Sequence, residues 1–251
     1  MSIPNGKISG GTTPQGTTTE EQAAKYVRGM FAEVAPRYDL LNHLLSANID
    51  KYWRNRTVTR LKQHLSKPGV QVLDICCGTG DLTILLEKAV GAPVLGSDFC
   101  HPMLTEASRK IFKGRLGSPL FEADGLRLPL KDASLDVITV AFGFRNFANY
   151  RQGIDEMRRV LKPGGVAAVL EFTQPPNRAF RSAYNFYSRS VLPVIGGMLS
   201  GSKDAYTYLP ESVKKFPEAP QLAEEMRKAG FAKVEFEYIT FGIVALHLAW
   251  R

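Results

Sequence analysis

VLDICCGTGDL, residues 72–82, decides the fold: an apolar run closes on Asp74, opens into a turn with glycines at 78 and 80, and leads into the helix-forming run LTILLEKA. Strand, tight loop and helix start in that order bring a ligand against bare main chain, because glycine adopts backbone angles other residues avoid. Thr79 and Asp81 are the expected capping oxygens of that helix. The spacing is not the G-x-G-x-x-G of dinucleotide binders, since Thr83 stands where the third glycine would fall. A nucleotide-like ligand is the natural occupant of such a turn. An ordinary glycine-rich turn after a strand is the alternative.

Downstream, strands and helices alternate as a doubly wound sheet requires. PVLGSD, residues 93–98, is the second strand, and its terminal Asp98 lies 20 residues beyond Gly78, where a carboxylate can accept two ribose hydroxyls. A helix over 101–112 follows, then a short third strand that runs out at Asp124. LDVITVAFGFRNF, residues 135–147, is a buried fourth strand opening into a loop with Gly143, Arg145 and Asn146, side chains ill suited to a core. RVLKPGGVAAVLEF, residues 159–172, holds a helix end, a Pro-Gly-Gly turn and the fifth strand. FAKVEFEYITFGIVALHLAWR, residues 231–251, alternates as an antiparallel hairpin and carries His247.

Upstream, residues 1–19 are small, polar and aperiodic, and are expected to be a disordered leader. A helix starts at Glu20, capped by Thr17, Thr18 or Thr19, and ends at Pro36. YDLLNHLLSANIDKYWRNRTV, residues 38–58, is amphipathic and dense in aromatic and amide side chains. The 251 residues fit one domain over 20–251, with a helical cover before the sheet and a lid insertion near 173–215. Three cysteines, two of them adjacent, make no disulfide framework, and no cysteine or histidine spacing suggests a metal. No apolar run is long enough to span a bilayer. A net charge of +8 points to an anionic partner, nucleic acid or membrane.

Asp-x-x-x-Gly-x-Gly resembles the first motif of class I S-adenosylmethionine-dependent methyltransferases. Tyr38, Asp39, Asn42, Ser46, Asp50 and Trp53 stand at the spacing of a signature of the ubiquinone/menaquinone biosynthesis C-methyltransferases, and Phe142-Gly143-x-Arg145-Asn146 resembles that family's hallmark loop. Leu41 replaces a usual methionine, Asn48 a usual glycine, Ala141 a serine and Thr173 a serine. The fold this implies is α/β, a seven-stranded sheet in the order 3-2-1-4-5-7-6 with strand 7 antiparallel. The cofactor implied is S-adenosyl-L-methionine, held by Asp74, Gly78, Thr79, Gly80, Asp98, Phe99, Asp124, Gly125 and Ala141.

The activity implied is methyl transfer to a ring carbon of a prenylated quinol, demethylmenaquinol or its ubiquinone counterpart, with the Cys-Cys-Gly-Thr-Gly loop leaning to the former. Tyr38, Asn42 and Tyr184 are then expected at the substrate and Arg145, Asn146 and His247 at the chemistry, Arg145 as a cation beside the quinolate. The base could be a water held by Arg145 and Asn146, His247, His43 or Asp39; His247 could equally be a satisfied histidine of the last strand. Residues 172–203 interleave Arg178, Arg181, Arg189 and Lys203 with aromatic side chains, with Gly196 and Gly197 as a hinge. That pattern suits a lid against an anionic membrane. Cytoplasmic location with peripheral membrane contact, no nucleic-acid partner and a homodimer complete the expectation. An RNA methyltransferase and a cofactor-binding scaffold are the competing classes, the first lacking any target-base motif.

Overall fold

The computed structural model describes residues 10–186 and 203–251. Helices α1 (Glu20–Val34), α2 (Tyr38–Leu45) and α3 (Ile49–Leu65) precede the sheet. Strands β1 (Val72–Ile75), β2 (Leu95–Asp98), β3 (Leu120–Glu122), β4 (Leu135–Ala141) and β5 (Leu161–Phe172) then alternate with α4 (Asp81–Val90), α5 (His101–Lys113) and α6 (Tyr150–Val160). After β5 come α7 (Arg178–Phe186), α8 (Lys203–Lys215), α9 (Ala219–Lys228) and the hairpin β6 (Lys233–Ile239) and β7 (Val244–Trp250). The sheet order is β3-β2-β1-β4-β5-β7-β6, as expected.

β1 pairs in parallel with β2 on one side and β4 on the other, so connections leave in opposite directions at this point and a crevice opens beyond the strands' carboxyl ends. β5 pairs antiparallel with β7, Phe172 opposite Val244, which brings the β6–β7 turn to that same edge. All four residues of β1 are buried, as a strand covered on both faces demands. Ile138, Val140, Phe144, Ile154, Met157, Val169, Leu222 and Met226 share one core cluster with α6 and α9, while Trp53, Leu61, Leu82, Leu86, Leu170 and Leu246 form another with α3 and α4.

Thr19 caps α1, its side chain accepting from the Gln22 amide at 3.2 Å, and α1 ends at Val34 before Pro36. Asn48 has φ 62°, so it occupies the left-handed position that glycine or asparagine tolerates best. Two expectations change. Gly80, with no side-chain bond, is the N-cap of α4, because Thr79 and Asp81 turn toward α2 and α5. Residues 10–19 are also not a free leader throughout: Thr12 is 4% exposed and its amide donates to the Phe147 carbonyl at 2.7 Å. Residues 1–9 and the expected hinge at Gly196 and Gly197, with Arg189, lie outside the described residues.

Candidate active site

The crevice at the β1/β4 switch is a cleft of about 700 Å³, part of it open to solvent. Gly78, Asp98, Phe99, Asp124, Gly125 and Ala141 line it, and so do Tyr38 and Asn146. The structure therefore brings together six of the nine expected cofactor residues with one expected substrate residue and one expected catalytic residue.

Asp98 ends β2 with both carboxylate oxygens anchored: Oδ2 accepts from the Gly78 amide and Oδ1 from the Cys100 amide, each at 2.9 Å. Burial pushes its pKa up to about 6 despite those donors. Each oxygen keeps a further lone pair for a ligand hydroxyl. Gly78 has φ +56°, and a side chain there would point at the Tyr38 ring, with Cε1 3.9 Å from the added carbon. Its missing side chain leaves the loop's main chain open between Asp98 and Tyr38. Phe99, Met103, Leu126 and Phe147 add apolar wall. A carboxylate with lone pairs to spare, open loop backbone and an apolar slot fit the nucleoside end of S-adenosylmethionine.

The remaining three expected cofactor residues serve the loop instead. Asp74 is 1% exposed and accepts from Thr83 Oγ1 at 2.8 Å and Thr139 Oγ1 at 2.7 Å, so its carboxylate ties β1 to α4 and β4 instead of facing the cleft. Burial raises its pKa to about 6, with the two hydroxyls opposing. Thr83, standing in the third-glycine position, is thus the partner Asp74 requires. Thr79 is buried and donates to Asp39, and Gly80 begins α4.

The residues of the 38–53 signature form a charged network over this loop. Lys110 Nζ bonds Asp39 at 2.8 Å, Thr79 at 3.3 Å, and Asp81. His43 Nδ1 meets Asp50 at 2.8 Å, Ser46 donates to Asp50 at 2.7 Å, and Arg54 pairs with Asp50. His43, Asp50 and Asp81 come close enough to suggest an ion, but Arg54 and Lys110 already supply the positive charge. Trp53 Nε1 donates to Thr240 Oγ1 at 2.7 Å, joining α3 to the β6–β7 turn. Asn42 is half-buried on α2, one helical turn from Tyr38 and outside the cleft lining. Tyr184 lies half-buried on α7, also outside that lining.

Arg145 differs most from expectation. It is 5% exposed, its Nη1 bonds Glu171 Oε1 at 2.9 Å and the Phe142 carbonyl, and its guanidinium lies over the Phe172 ring at 5.5 Å. Glu171, 1% exposed, also accepts the Arg145 amide at 3.1 Å. The arginine is thus half of a buried ion pair, with one buried N–H, Nε, lacking a partner. His247 sits in the core: it is 1% exposed, its Nε2 meets the Ala219 carbonyl at 2.8 Å, and it stacks on Phe236 at 5.4 Å. Burial lowers its pKa to about 4. On β7, two strands from β4, it lies outside the cleft lining with Nδ1 buried and without a partner among the described residues, so it is a core histidine and is not placed as a catalytic base.

Phe31 and Ala24 of α1, Cys76 and Phe142 also line the cleft, and Tyr208 of α8 bonds Asn146 at 3.0 Å. Cys76 and Phe142 adjoin motifs already singled out; Tyr208 carries no local signal, because its partners are 62 and 196 residues away.

A sequence profile of the ubiE/COQ5 methyltransferase family matches residues 17–251. The chain belongs to that family. This methyltransferase is 49% identical over 223 residues to the demethylmenaquinone methyltransferase of Thermus thermophilus, covering 88% of this chain and 100% of that one. It is 37% identical to the ubiquinone/menaquinone biosynthesis C-methyltransferase UbiE of Cereibacter sphaeroides, over 94% of each chain. Among solved structures, a SAM-dependent methyltransferase from Thermotoga maritima aligns with TM-score 0.63 and 17% identity, over 88% of this chain and 98% of that one. The cyclase SpnF aligns with TM-score 0.69 at 15% identity, over 97% and 98%. These last two share the fold, and SpnF shows that the fold alone does not dictate the reaction.

Proposed function

We propose that the ring carbon methylated by this enzyme belongs to demethylmenaquinol, giving menaquinol. The observation that carries the reading is one cleft that brings Asp98 and Gly78 together with the Tyr38 ring and the Asn146 amide, with the buried Arg145 next to Asn146 in the chain and outside the lining. The full-length similarity to demethylmenaquinone methyltransferases supports it. S-adenosylmethionine, when bound, supplies an electrophilic methyl on a sulfonium.

The chain must make the ring a nucleophile. A quinol hydroxyl has a pKa near 10, as phenol does, so the quinolate costs about 4 kcal/mol at pH 7. With Glu171 beside it, Arg145 does not act as a free cation. What it retains is an N–H donor, and hydrogen bonds to a charged oxygen are worth roughly 1.5 to 3 kcal/mol each. Two such bonds, from the Asn146 amide in the cleft lining and from Arg145 Nε buried next to it, would together be worth roughly 3 to 6 kcal/mol, a range that brackets the cost of ionisation. Tyr38 and the α2–α3 cover orient the ring and keep bulk water from the loop. The ring proton passes to water at Asn146, since Asp39 and His43 are tied into the charged network and His247 lies outside the cleft lining.

A polyprenyl tail on the substrate and the net charge of +8 support a reading of peripheral contact with an anionic membrane. No helix among the described residues is long and apolar enough to cross one. The ubiquinone-branch substrate is the second reading, supported by the similarity to UbiE. Purified protein given methyl-labelled cofactor and each demethylated quinol separates the two. Label in menaquinol supports the proposal; label only in the ubiquinone-branch product, or in neither, overturns it.

A further inference from the structure

The first described residues reach into the site. Gly11 lies so close to the Ala148 carbonyl that an added side-chain carbon would stand 1.8 Å from its oxygen, and Lys215 Nζ holds the Thr13 carbonyl at 2.7 Å. This strap delivers the Thr12 hydroxyl, buried, to the Tyr208 hydroxyl at 2.7 Å. Tyr208, 6% exposed, in turn contacts Asn146 Oδ1 at 3.0 Å.

Counting hydrogens sets the direction of this chain. Thr12 Oγ1 makes no other bond among the described residues, so its proton must go to Tyr208 or be buried without an acceptor, a costly arrangement. Tyr208 then has one proton, and it goes to Asn146. The amide oxygen of Asn146 is thereby occupied, and Nδ2, which is neither bonded among the described residues nor sealed from solvent, is left with its donors at the cleft.

We propose that Thr12 and Tyr208 are positioning residues that lock the Asn146 amide with Nδ2 toward the cleft, so that this point accepts only an oxygen able to receive hydrogen bonds. The inference rests on the reading above in placing the quinol oxygen there. A flipped Asn146 would present its carbonyl to the same oxygen and repel the quinolate. Thr12 thus makes the chain's start a determinant of ring ionisation at a site whose other residues come from the sheet edge.

The test is a double-mutant cycle on kcat with a demethylated quinol. Tyr208→Phe and Thr12→Val should each lower kcat about tenfold, with cofactor affinity by calorimetry unchanged within twofold. Thr12→Ser should restore it. In an Asn146→Ala background, Tyr208→Phe should change kcat less than twofold; an equal tenfold loss in both backgrounds overturns the proposal. A second readout needs no turnover: the Asn146 side-chain amide NMR signals, assigned by their loss in Asn146→Ala, should shift and broaden in Tyr208→Phe, and unchanged signals overturn it too. If the wild type methylates no quinol, the functional reading fails, and the NMR comparison alone decides the geometry.

Discussion

At the scale of single residues, the site depends on carboxylates whose burial is answered in different ways. Asp98 is answered by two backbone amides and still titrates near pH 6. A ligand diol donates to the ionised form, so cofactor affinity should be flat above pH 6 and fall toward tenfold per pH unit below it, a loss that the substitution Asp98→Asn should abolish along with most of the affinity. Calorimetric titration from pH 5 to 8 checks this, and a wild-type affinity independent of pH would remove Asp98 from the diol. Glu171 is answered by Arg145. Arg145→Met strands a buried carboxylate and should cost about 3 to 5 kcal/mol of stability, whereas adding Glu171→Gln should recover much of it. Activity should stay low in both, because the Nε donor is gone. Urea unfolding beside kcat separates the two effects; full activity in the stabilised double variant would make the arginine purely structural. The Arg145–Glu171 pairing was not readable in sequence, since the partners are 26 residues apart on different elements. Asp74 was legible as a motif residue but not in its direction, which Thr83 and Thr139 determine.

At the scale of elements, the strands were legible because a parallel sheet covered on both faces writes its strands as unbroken apolar runs. Their ends carried the site, and Asp98, Ala141 and the loop after β4 lie where those runs stop. The α2–α3 cover was legible as a pattern, whereas its meaning required the third dimension: the signature side chains mostly hold one another and the glycine loop, and of them Tyr38 enters the cleft. On β7 a single histidine illustrates the difference between chemistry available and chemistry placed. His247 binds a proton near pH 6.5 when unfolded and only near 4 when folded, so acid favours the unfolded chain in that window by up to about 3 kcal/mol. Asp74 and Asp98, raised to about 6, act oppositely, because there the folded form takes up protons first as pH falls. Comparison with His247→Gln isolates the histidine: the variant should gain on the wild type by up to about 3 kcal/mol between pH 7 and 4, with kcat at pH 7.5 unchanged. Denaturant melts at both pH values measure it, and a collapse of kcat would return His247 to the chemistry.

At the scale of the whole molecule, the carboxyl edge of the sheet gathers apolar side chains that no core claims. Leu40 is 67% exposed, Leu44 53%, Tyr52 59% and Phe241 80%. Leu40 and Leu44 stand one turn apart on α2, and the Trp53–Thr240 bond fastens α3 to the turn that carries Phe241. Arg37, Lys51 and Arg178 are exposed on the neighbouring elements, while Arg181 is engaged by the Pro175 carbonyl and Glu218. The membrane contact proposed above is therefore better assigned to this exposed apolar patch and its basic neighbours than to the arginines of residues 172–203 alone. Full burial of two such apolar side chains gives roughly 3 to 6 kcal/mol, and each basic residue near an anionic leaflet adds about 1, a sum that suits reversible docking. A Leu44→Ser, Phe241→Ser variant should lose most of its co-sedimentation with phosphatidylglycerol vesicles, and an Arg37→Glu, Lys51→Glu variant should lose mainly the salt-sensitive part. Turnover of a short-tailed, water-soluble demethylmenaquinol should be preserved in both, because these side chains lie outside the cleft lining, while turnover of long-tailed quinol in vesicles should fall with binding. Equal vesicle binding by wild type and both variants would mean that this patch does not meet the membrane.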